Sequence, residues 1–297
     1  MPPPLRVATR GSELARWQAE RVVSLLGDDA ALVIVTTTGD VRADTPIHRM
    51  GGTGVFVKEV QQAVLDGRAD IAVHSAKDLP ATASAPGLVL AAVPERADPR
   101  DTLVGATLEG LATGARVGTG SVRRRAQLAA LRPDLTFAEL RGNVATRLAR
   151  AEGLDAVVVA AAALERLGLL DRASETLDPS LMLPQVGQGA LAVECRADDR
   201  TTQHRLALID QPGAHRELDT ERAFLARLGG GCELPCAGLA ASAGDDVSFE
   251  GMLASLDGRI VLRGKGRGSD PGAVGREVAD ELLDRGGRDL LDIGWAP

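Results

Sequence analysis

Arginines are concentrated in one stretch of this acidic chain. Residues 116–150 contain eight arginines and only two acids, Asp134 and Glu139, although the formal charge of the 297-residue chain is −7. A guanidinium binds carboxylate or phosphate through two parallel hydrogen bonds and keeps its charge when partly desolvated. An ordinary basic helix face would give the same count. The glycine-containing turns beside these arginines, Gly118–Ser121 and Gly142–Val144, favour a pocket for an anion.

A second group of candidate residues follows a predicted buried strand. The apolar run Asp70–Val73 leads into His74-Ser75-Ala76-Lys77-Asp78. Open α/β sheets bind ligands beyond the carboxyl ends of their strands. Lys77 and Asp78 could equally form a solvated surface pair of little energetic value. In an arginine-lined cleft, Asp78 would stay ionised and could stabilise a cation or transfer a proton.

The turn Gly118-Thr119-Gly120-Ser121 joins a predicted strand, Ala115–Val117, to a helix that begins near Val122. Free backbone N–H groups at such a helix start favour an anion. The turn is not a nucleotide phosphate loop, because the lysine that ends that motif is missing. Successive helical residues point about 100° apart, so the consecutive arginines 123–125 cannot all face one ligand. At least one of them should face solvent.

One cysteine lies in an unusual glycine-rich segment, Gly229-Gly230-Gly231-Cys232-Glu233-Leu234-Pro235-Cys236. The glycines leave the backbone at Cys232 unobstructed, which suits a thiol that bears a bulky group, although a small buried side chain is equally compatible. We assign that buried role to Cys195 and Cys236. No metal site is predicted, because the Cys-x3-Cys pair lacks two further ligands at zinc-finger spacing.

Short apolar runs alternate with helical patterns over the first two thirds of the chain. They predict an α/β architecture with largely parallel strands, among them Leu5–Ala8 and Leu32–Val35. Ser12 is predicted to cap a helix whose apolar side includes Leu14, Trp17, Val22 and Leu25. Residues 98–101 are predicted to be a crossover linker.

The order helix, glycine, aspartate and buried strand occurs twice, at residues 56–73 and 144–159. It suggests two similar lobes, although any βαβ protein shows this order. From Glu217 the pattern changes to a helix ending at three glycines and a hairpin around Asp257-Gly258. Ser269-Asp270-Pro271 then opens a last helix, with Val274, Val278 and Leu282 four residues apart. This part predicts a small α+β domain of about 85 residues.

Composition limits the function classes. The chain is long enough for two or three domains, and no run of about 18 apolar residues predicts a membrane span or a signal peptide. Three cysteines fit a reducing cytoplasm better than a disulfide framework. The acidic balance and the six aromatic residues argue against nucleic-acid binding.

Seven short motifs occur in a fixed order along the chain. They are Arg10-Gly11-Ser12, Gly39-Asp40, His74-Ser75-Ala76-Lys77-Asp78, Gly118-Thr119-Gly120-Ser121-Val122-Arg123-Arg124, Arg141-Gly142-Asn143-Val144, Val186-Gly187-Gln188-Gly189-Ala190 and Gly230-Gly231-Cys232. Each alone is weak evidence, but the ordered set closely resembles the porphobilinogen deaminase (hydroxymethylbilane synthase) family from about Leu5 to beyond Leu283. Thr53 departs from the family pattern, in which lysine is usual, and Arg49 keeps a charge nearby.

The resemblance implies two lobes like those of periplasmic solute-binding proteins and a small C-terminal α+β domain. We expect the first lobe at residues 1–94 and 188–210, the second at 98–184 and the third domain at 214–297. The resemblance also implies a dipyrromethane cofactor attached to Cys232 by a thioether. The implied activity is that of a transferase of tetrapyrrole (porphyrin, heme) biosynthesis, which joins four porphobilinogen molecules into linear hydroxymethylbilane and releases ammonia.

The resemblance also implies roles for individual residues. Asp78 matches the essential carboxylate, which would stabilise cationic pyrroles and move protons. The carboxylates of cofactor and substrate would bind Arg10, Arg123, Arg124, Arg141, Arg147 and Arg166, with neutral hydrogen bonds from Ser12, Thr119 and Ser121. Further cofactor or substrate contacts would come from Asp40, Ser75, Lys77 and Gly189.

Two other function classes are compatible with parts of the pattern. A non-catalytic binding protein for a carboxylated ligand would also have two lobes and an arginine-lined cleft, but it would not need Asp78 or an accessible Cys232. A nucleotide-binding enzyme lacks the phosphate-loop lysine and a dinucleotide fingerprint. We therefore expect a cytoplasmic monomer that binds the small molecule porphobilinogen and binds neither nucleic acid nor membrane.

Overall fold

The computed structural model describes residues 4–27, 30–37, 57–81, 85–149, 151, 153–230 and 234–292. The predictions for Asp40, Arg49, Thr53 and Cys232 lie outside these residues. The strands are β1 (Leu5–Arg10), β2 (Ala30–Val35), β3 (Ile71–Ser75), β4 (Leu88–Ala92), β5 (Asp101–Val104), β6 (Arg116–Gly118), β7 (Thr136–Ala138), β8 (Ala156–Ala160), β9 (Glu175–Thr176), β10 (Leu191–Arg196), β11 (Cys236–Ala243), β12 (Asp246–Ala254) and β13 (Val261–Gly268). The α-helices are α1 (Glu13–Leu26), α2 (Lys58–Leu65), α3 (Val122–Leu131), α4 (Val144–Ala149), α5 (Ala161–Arg166), α6 (Arg200–Leu206), α7 (Pro212–Arg227), α8 (Pro271–Leu282) and α9 (Arg288–Asp292). Single 3₁₀ turns occur at Ala76–Asp78 and Leu170–Arg172, and a wider turn at Leu283–Gly287 joins α8 to α9.

The first lobe is built on a five-stranded sheet with the strand order β2-β1-β3-β10-β4. Side chains of a strand alternate between the two faces of a sheet, and both faces here are apolar. Val7 and Val73 belong to the core cluster that includes Val22 of α1. Ala8 and Ala72 belong to the cluster formed with α2. Helices therefore cover both faces, as in other α/β folds.

The second lobe repeats this plan, with the strand order β7-β6-β8-β5-β9. In the first lobe, Asp70 N donates to Arg6 O at 2.8 Å, and the Asp70 carboxylate accepts from Arg6 N at 2.9 Å. In the second lobe, Asp155 and Arg116 exchange the same two bonds at 3.0 and 2.6 Å. The aspartate thus joins β1 to β3 in the first lobe and β6 to β8 in the second. The repeat suggested by the sequence is a structural one, and the two-lobed α/β prediction is confirmed.

The third domain is a small α+β unit, as predicted. The antiparallel sheet β11-β12-β13 packs against α7 and α8, with Phe224 and Phe249 in contact at its core. The predicted hairpin connects β12 and β13. At its turn Gly258 has φ +72°, and a Cβ there would lie 2.4 Å from the carbonyl oxygen of Ala126 in α3. A glycine is required at this close approach, which docks the third domain on the second lobe.

A buried carboxylate joins all three parts of the molecule. Glu221 of α7 is fully buried and accepts hydrogen bonds from the Arg96 guanidinium at 2.7 and 3.1 Å. It also accepts from the backbone N–H groups of Gly187 (2.6 Å) and Ala240 (3.0 Å). Arg96 and Gly187 lie in the two segments that connect the lobes, 93–100 and 183–190. Removing one partner of a buried pair of this kind costs about 3–5 kcal/mol.

Three predictions about the elements are corrected. Each lobe sheet is mixed, because β10 and β5, the strands that enter directly from the connecting segments, run antiparallel to their neighbours. Asp101 is not part of a linker but the fully buried first residue of β5. Strand β11 is not indicated by the sequence, because its alanines, its glycine and its serine have little strand preference.

The predicted apolar side of α1 is also partly wrong. Val22 is fully buried, but Trp17 and Leu25 are 37% and 38% exposed. Gln18 and Ala19 are buried instead, because the Gln18 side chain hydrogen-bonds to the end of β3. Within the described residues, no helix has both the length and the apolar character that a membrane-spanning segment requires.

Candidate active site

The first lobe presents its candidate residues where β1 and β3 end. The two strands are parallel, so their carboxyl ends lie at the same edge of the sheet. Arg10 is the half-buried last residue of β1, and Ser12 caps α1, its hydroxyl accepting from Ala15 N at 3.3 Å. Ser75 is the last residue of β3 and accepts a 2.7 Å hydrogen bond from Gln18 Nε2.

Lys77 and Asp78 lie in the 3₁₀ turn that follows β3, and both are partly buried. Gly187, with φ +72°, packs against this turn so closely that a Cβ would lie 2.9 Å from Lys77 N. The Lys77 ammonium reaches Gln188 Oε1 at 3.5 Å. Burial and the charge of Arg124 lower the pKa of Lys77 to about 8, against the opposing effect of Asp78.

The second lobe contributes the turn after β6 and the start of α3. Thr119 is buried, donates its N–H to Ala138 O, and accepts from Ser121 N at 3.2 Å through its hydroxyl. Ser121 is the N-cap of α3, and its hydroxyl lies 3.5 Å from Arg124 N. Arg125 is exposed, so the prediction that one of the three consecutive arginines faces solvent is confirmed.

Arg123 and Arg124 are only 3% and 5% exposed, and both bind the buried carboxylate of Asp101, at 2.6 and 2.8 Å. Burial alone would raise the pKa of Asp101, but the two guanidiniums hold it well below its usual range. Gln188 Nε2 donates to the same carboxylate at 2.9 Å. One negative charge therefore compensates two positive charges. Arg123 Nε and Nη2 remain buried without a hydrogen-bond partner.

The remaining predicted arginines of the second lobe differ in their partners. Arg141 forms an ion pair with Glu139. Arg147 donates to Gly142 O at 2.9 Å, and its pKa is lowered to about 10 by burial and by Arg124 and Arg141. No carboxylate lies within ion-pair distance of Arg147 in the described part of the chain.

Arg166 reaches from the second lobe to the segment that returns to the first. It ends α5 and donates from Nη2 to Gly189 O at 2.7 Å. Burial lowers the pKa of Arg166 to about 10, and its Nε is buried without a hydrogen-bond partner. Among the described residues, no carboxylate lies within ion-pair distance of this guanidinium either. Desolvated guanidiniums without a counter-charge are sites for an anion.

The structure brings predicted residues of both lobes together. Lys77 of the first lobe contacts Gln188, whose side chain also donates to the Asp101 carboxylate that Arg124 of the second lobe binds. The charges of Arg124 and Arg147 lower the pKa of Lys77, and that of Asp78 raises it. A small cavity of about 20 Å³, room for one water molecule, lies beside them between the lobes. Its walls include Ser75, Lys77, Arg166 and Gly189.

Sequence reasoning missed the residues that organise this cluster. Asp101 was placed in a linker, and its pairing with Arg123 and Arg124 depends on a fold contact that local patterns do not reveal. Gln188 contacts both connecting segments and Lys77. Gln188 lies between two glycines in one of the seven motifs, and this position is the sequence feature that could have pointed to a role for it.

Together these features define a two-lobed protein in which Lys77, Arg123, Arg124, Arg147 and Arg166 outnumber the carboxylates of Asp78 and Asp101. A family model described as porphobilinogen deaminase, dipyromethane cofactor binding domain, matches residues 5–204, and one described as porphobilinogen deaminase, C-terminal domain, matches residues 216–284. The chain belongs to the porphobilinogen deaminase family. This match favours the enzymatic interpretation over the binding-protein alternative.

Similar proteins extend over nearly the whole chain. Porphobilinogen deaminase of Roseiflexus sp. (strain RS-1) is 50% identical over 299 residues, which cover 97% of this chain and 98% of the relative. The protein of that name from Moorella thermoacetica is 47% identical over 97% of this chain and 95% of its own length. Among solved structures, the periplasmic VFT2 domain of Bordetella pertussis BvgS has a TM-score of 0.40 and 18% identity, covering 74% of this chain and 92% of that one.

Proposed function

We propose that this protein is a transferase that joins four porphobilinogen molecules into linear hydroxymethylbilane and releases one ammonia for each addition. The observation that carries the proposal is a chain of contacts between the lobes: Lys77 reaches Gln188, and Gln188 donates to the Asp101 carboxylate that Arg124 binds. A family match over residues 5–204 and 216–284 supports it. The proposed site also contains residues named from the sequence: Arg10, Ser12, Asp40, Ser75, Thr119, Ser121, Arg123, Arg141, Arg166, Gly189 and Cys232.

The residues present fit a carboxylated cofactor and substrate. Arg147 and Arg166 are desolvated and lack a carboxylate partner in the part of the chain that is described. Arg123 and Arg166 have buried donors with no acceptor, and leaving such donors unsatisfied costs about 1–3 kcal/mol each. A ligand carboxylate would supply both the acceptor and the missing negative charge. Thr119 and Ser121 would add neutral hydrogen bonds.

Dipyrromethane, attached through Cys232, would supply a pyrrole ring to which the first substrate is joined. We propose that Cys232 is an anchor and not a turnover nucleophile, because its bond must persist through every cycle. Cys195 and Cys236 are buried thiols, and burial raises the pKa of Cys195 to about 11. Neither of these two is suited to attachment of a bulky group.

Asp78 is the group we propose to act on the reacting atoms. Each addition breaks the bond between the methylene carbon and the amino nitrogen of porphobilinogen, forms a carbon–carbon bond, and releases one proton. After the fourth addition, water would cleave the bond between the cofactor and the new chain, so the product gains a hydroxyl group and the cofactor stays attached. The electron-poor cation formed when ammonia leaves needs a nearby negative charge. The Asp78 carboxylate, held in a rigid turn beside Gly187, can accept a pyrrole N–H, stabilise this cation and take up the proton.

We further propose that the domain limits are those expected from the sequence, and that the protein acts in the cytoplasm as a monomer. The buried cysteine thiols support a reducing compartment. Light scattering coupled to gel filtration tests the monomer, whose expected mass is 30.9 kDa plus the cofactor. A particle of twice that mass would overturn this part of the proposal.

Two experiments test the activity. Intact-mass analysis should show an adduct of two pyrrole units that maps to Cys232, and fully active protein without the adduct would contradict the anchor. Asp78→Asn should keep the adduct but lose turnover by about 10²- to 10⁴-fold, the usual contribution of a proton-transferring group. The exposed Asp171→Asn serves as the matched control and should retain activity. Equal activity of the two variants would remove Asp78 from the mechanism.

A further inference from the structure

Arg166 has an incomplete set of partners for a buried guanidinium. It is 8% exposed, and its one hydrogen bond within the described chain joins Nη2 to Gly189 O. Its Nε is buried and has no acceptor. A guanidinium on a flexible side chain with a single hydrogen bond needs another contact to keep one orientation.

That other contact comes from the opposite lobe. The guanidinium carbon of Arg166 lies 5.6 Å from the centre of the Trp17 ring, within the range of a cation–π interaction. Trp17 belongs to α1 of the first lobe and Arg166 to α5 of the second. The contact therefore bridges the lobes, and Arg166 also lines the cavity walled by Ser75 and Lys77.

Trp17 has no role in the core that would explain its presence. The sequence pattern placed it on the apolar side of α1, but its side chain is 37% exposed and is absent from the buried core clusters. An exposed tryptophan on a surface helix needs no explanation by itself. This one lies against a buried cation that borders the proposed substrate site.

We propose that Trp17 is a positioning residue, which holds the Arg166 guanidinium so that its unpartnered donor faces a carboxylate of the bound substrate. The inference rests on the proposed function, because it assigns that carboxylate to porphobilinogen or to the growing chain. An interaction made equally with the ground state and the transition state changes KM and leaves kcat unchanged. Loss of Trp17 should therefore weaken substrate binding and not the chemical step.

The experiment measures kcat and KM for porphobilinogen with holoenzyme variants. Trp17→Leu should raise KM about 3- to 10-fold, the usual strength of a cation–π contact, with kcat within about twofold of the parent. Trp17→Phe keeps a weaker π face and should give an intermediate KM. Leu25→Ala, on the same helix and equally exposed, is the matched control and should leave KM unchanged.

A double-mutant cycle separates positioning from a purely structural role. If Trp17 acts through Arg166, adding Trp17→Leu to Arg166→Gln should raise KM no further. Additive effects would overturn the proposal, as would an unchanged KM in Trp17→Leu or the failure of both Trp17 variants to fold. A parent enzyme that does not consume porphobilinogen would instead contradict the proposed function.

Fluorescence gives an independent readout. The chain has two tryptophans, so Trp295→Phe leaves Trp17 as the only indole. In that background Arg166→Gln should shift the Trp17 emission, since it removes the cation from the ring face. An unchanged spectrum would show that the contact does not form in solution and would overturn the proposal.

Discussion

Lys77 should make productive substrate binding depend on pH near 8. Burial and the neighbouring Arg124 charge lower the pKa of this ammonium to about 8. Lys77 is therefore charged below that pH and becomes neutral above it. A carboxylated substrate is attracted by the charged form, so binding should weaken as the pH rises through 8.

The expected size follows from the titration of a single group. About half of Lys77 is neutral at pH 8 and about nine tenths at pH 9, so kcat/KM should fall up to tenfold per pH unit above 8 if only the charged form binds productively. The lowered pKa of Lys77 should affect stability in the opposite direction, so that stability rises with pH while substrate binding weakens. Since the unfolded chain binds the extra proton between pH 8 and the ordinary value of 10.5, the free energy of unfolding should rise over that interval.

The assay compares initial rates at substrate concentrations below KM, from about pH 6.5 to 10, for the parent and for Lys77→Arg. A guanidinium stays charged over this range, so the variant should lack the fall near pH 8. The exposed Lys58→Arg is the matched control and should keep the parental profile. A fall of the same size and position in Lys77→Arg would refute the assignment, because it would show that another group, or the substrate amine, is titrating.

Two further predictions concern the joints between the domains, both measured as free energies of unfolding in denaturant. Gly187→Ala should lower the free energy of unfolding by well over 1 kcal/mol, because the new Cβ would sit at φ +72° and only 2.9 Å from backbone atoms. Gly229→Ala is the control. Its φ is the same, but no atom lies within 4 Å of the new Cβ, so it should lower the free energy of unfolding by about 1 kcal/mol. Equal losses would contradict the packing argument. Glu221→Gln should lower the free energy of unfolding by about 3 kcal/mol, because it weakens a buried ion pair with Arg96. Glu217 is more exposed and its carboxylate lies 3.6 Å from Arg96 Nη1, so Glu217→Gln should lower it by about 1 kcal/mol or less. A smaller loss for Glu221→Gln than for Glu217→Gln would contradict the proposed joint.

Local signals predicted the elements well where one residue determines a boundary. The predicted cap Ser12 accepts a backbone N–H at the start of α1. The helix predicted at Ser269-Asp270-Pro271 is α8, and Asp270 accepts a backbone N–H at its start. The buried strand predicted at the end of residues 144–159 is β8, Ala156–Ala160. In each case the interaction joins residues within four positions of one another, and a pattern of residue types is sufficient to reveal it.

The predictions that failed depend on contacts between distant residues. Strand direction in the mixed sheets is set by how the chain crosses between the lobes, and that path leaves no local pattern. Asp101 was assigned to a linker, because its partners Arg123 and Gln188 are 22 and 87 residues away. Arg123 and Arg124 are buried because they bind the Asp101 carboxylate, and a count of charges along the sequence does not reveal that pairing. Their predicted contact with ligand carboxylates stays a prediction.

The two lobes carry different residues at equivalent positions of the cleft wall. Seven and eight residues after Asp70 stand Lys77 and Asp78, whereas the same count from Asp155 gives Ala162 and Ala163. One copy thus offers an ionic pair where the other offers two methyl groups. The two similar lobes therefore differ in charge at the point where reaction is proposed to occur. An asymmetric molecule such as a head-to-tail pyrrole oligomer can then fit with only one polarity, and growth from a single end would be a geometric consequence of that difference.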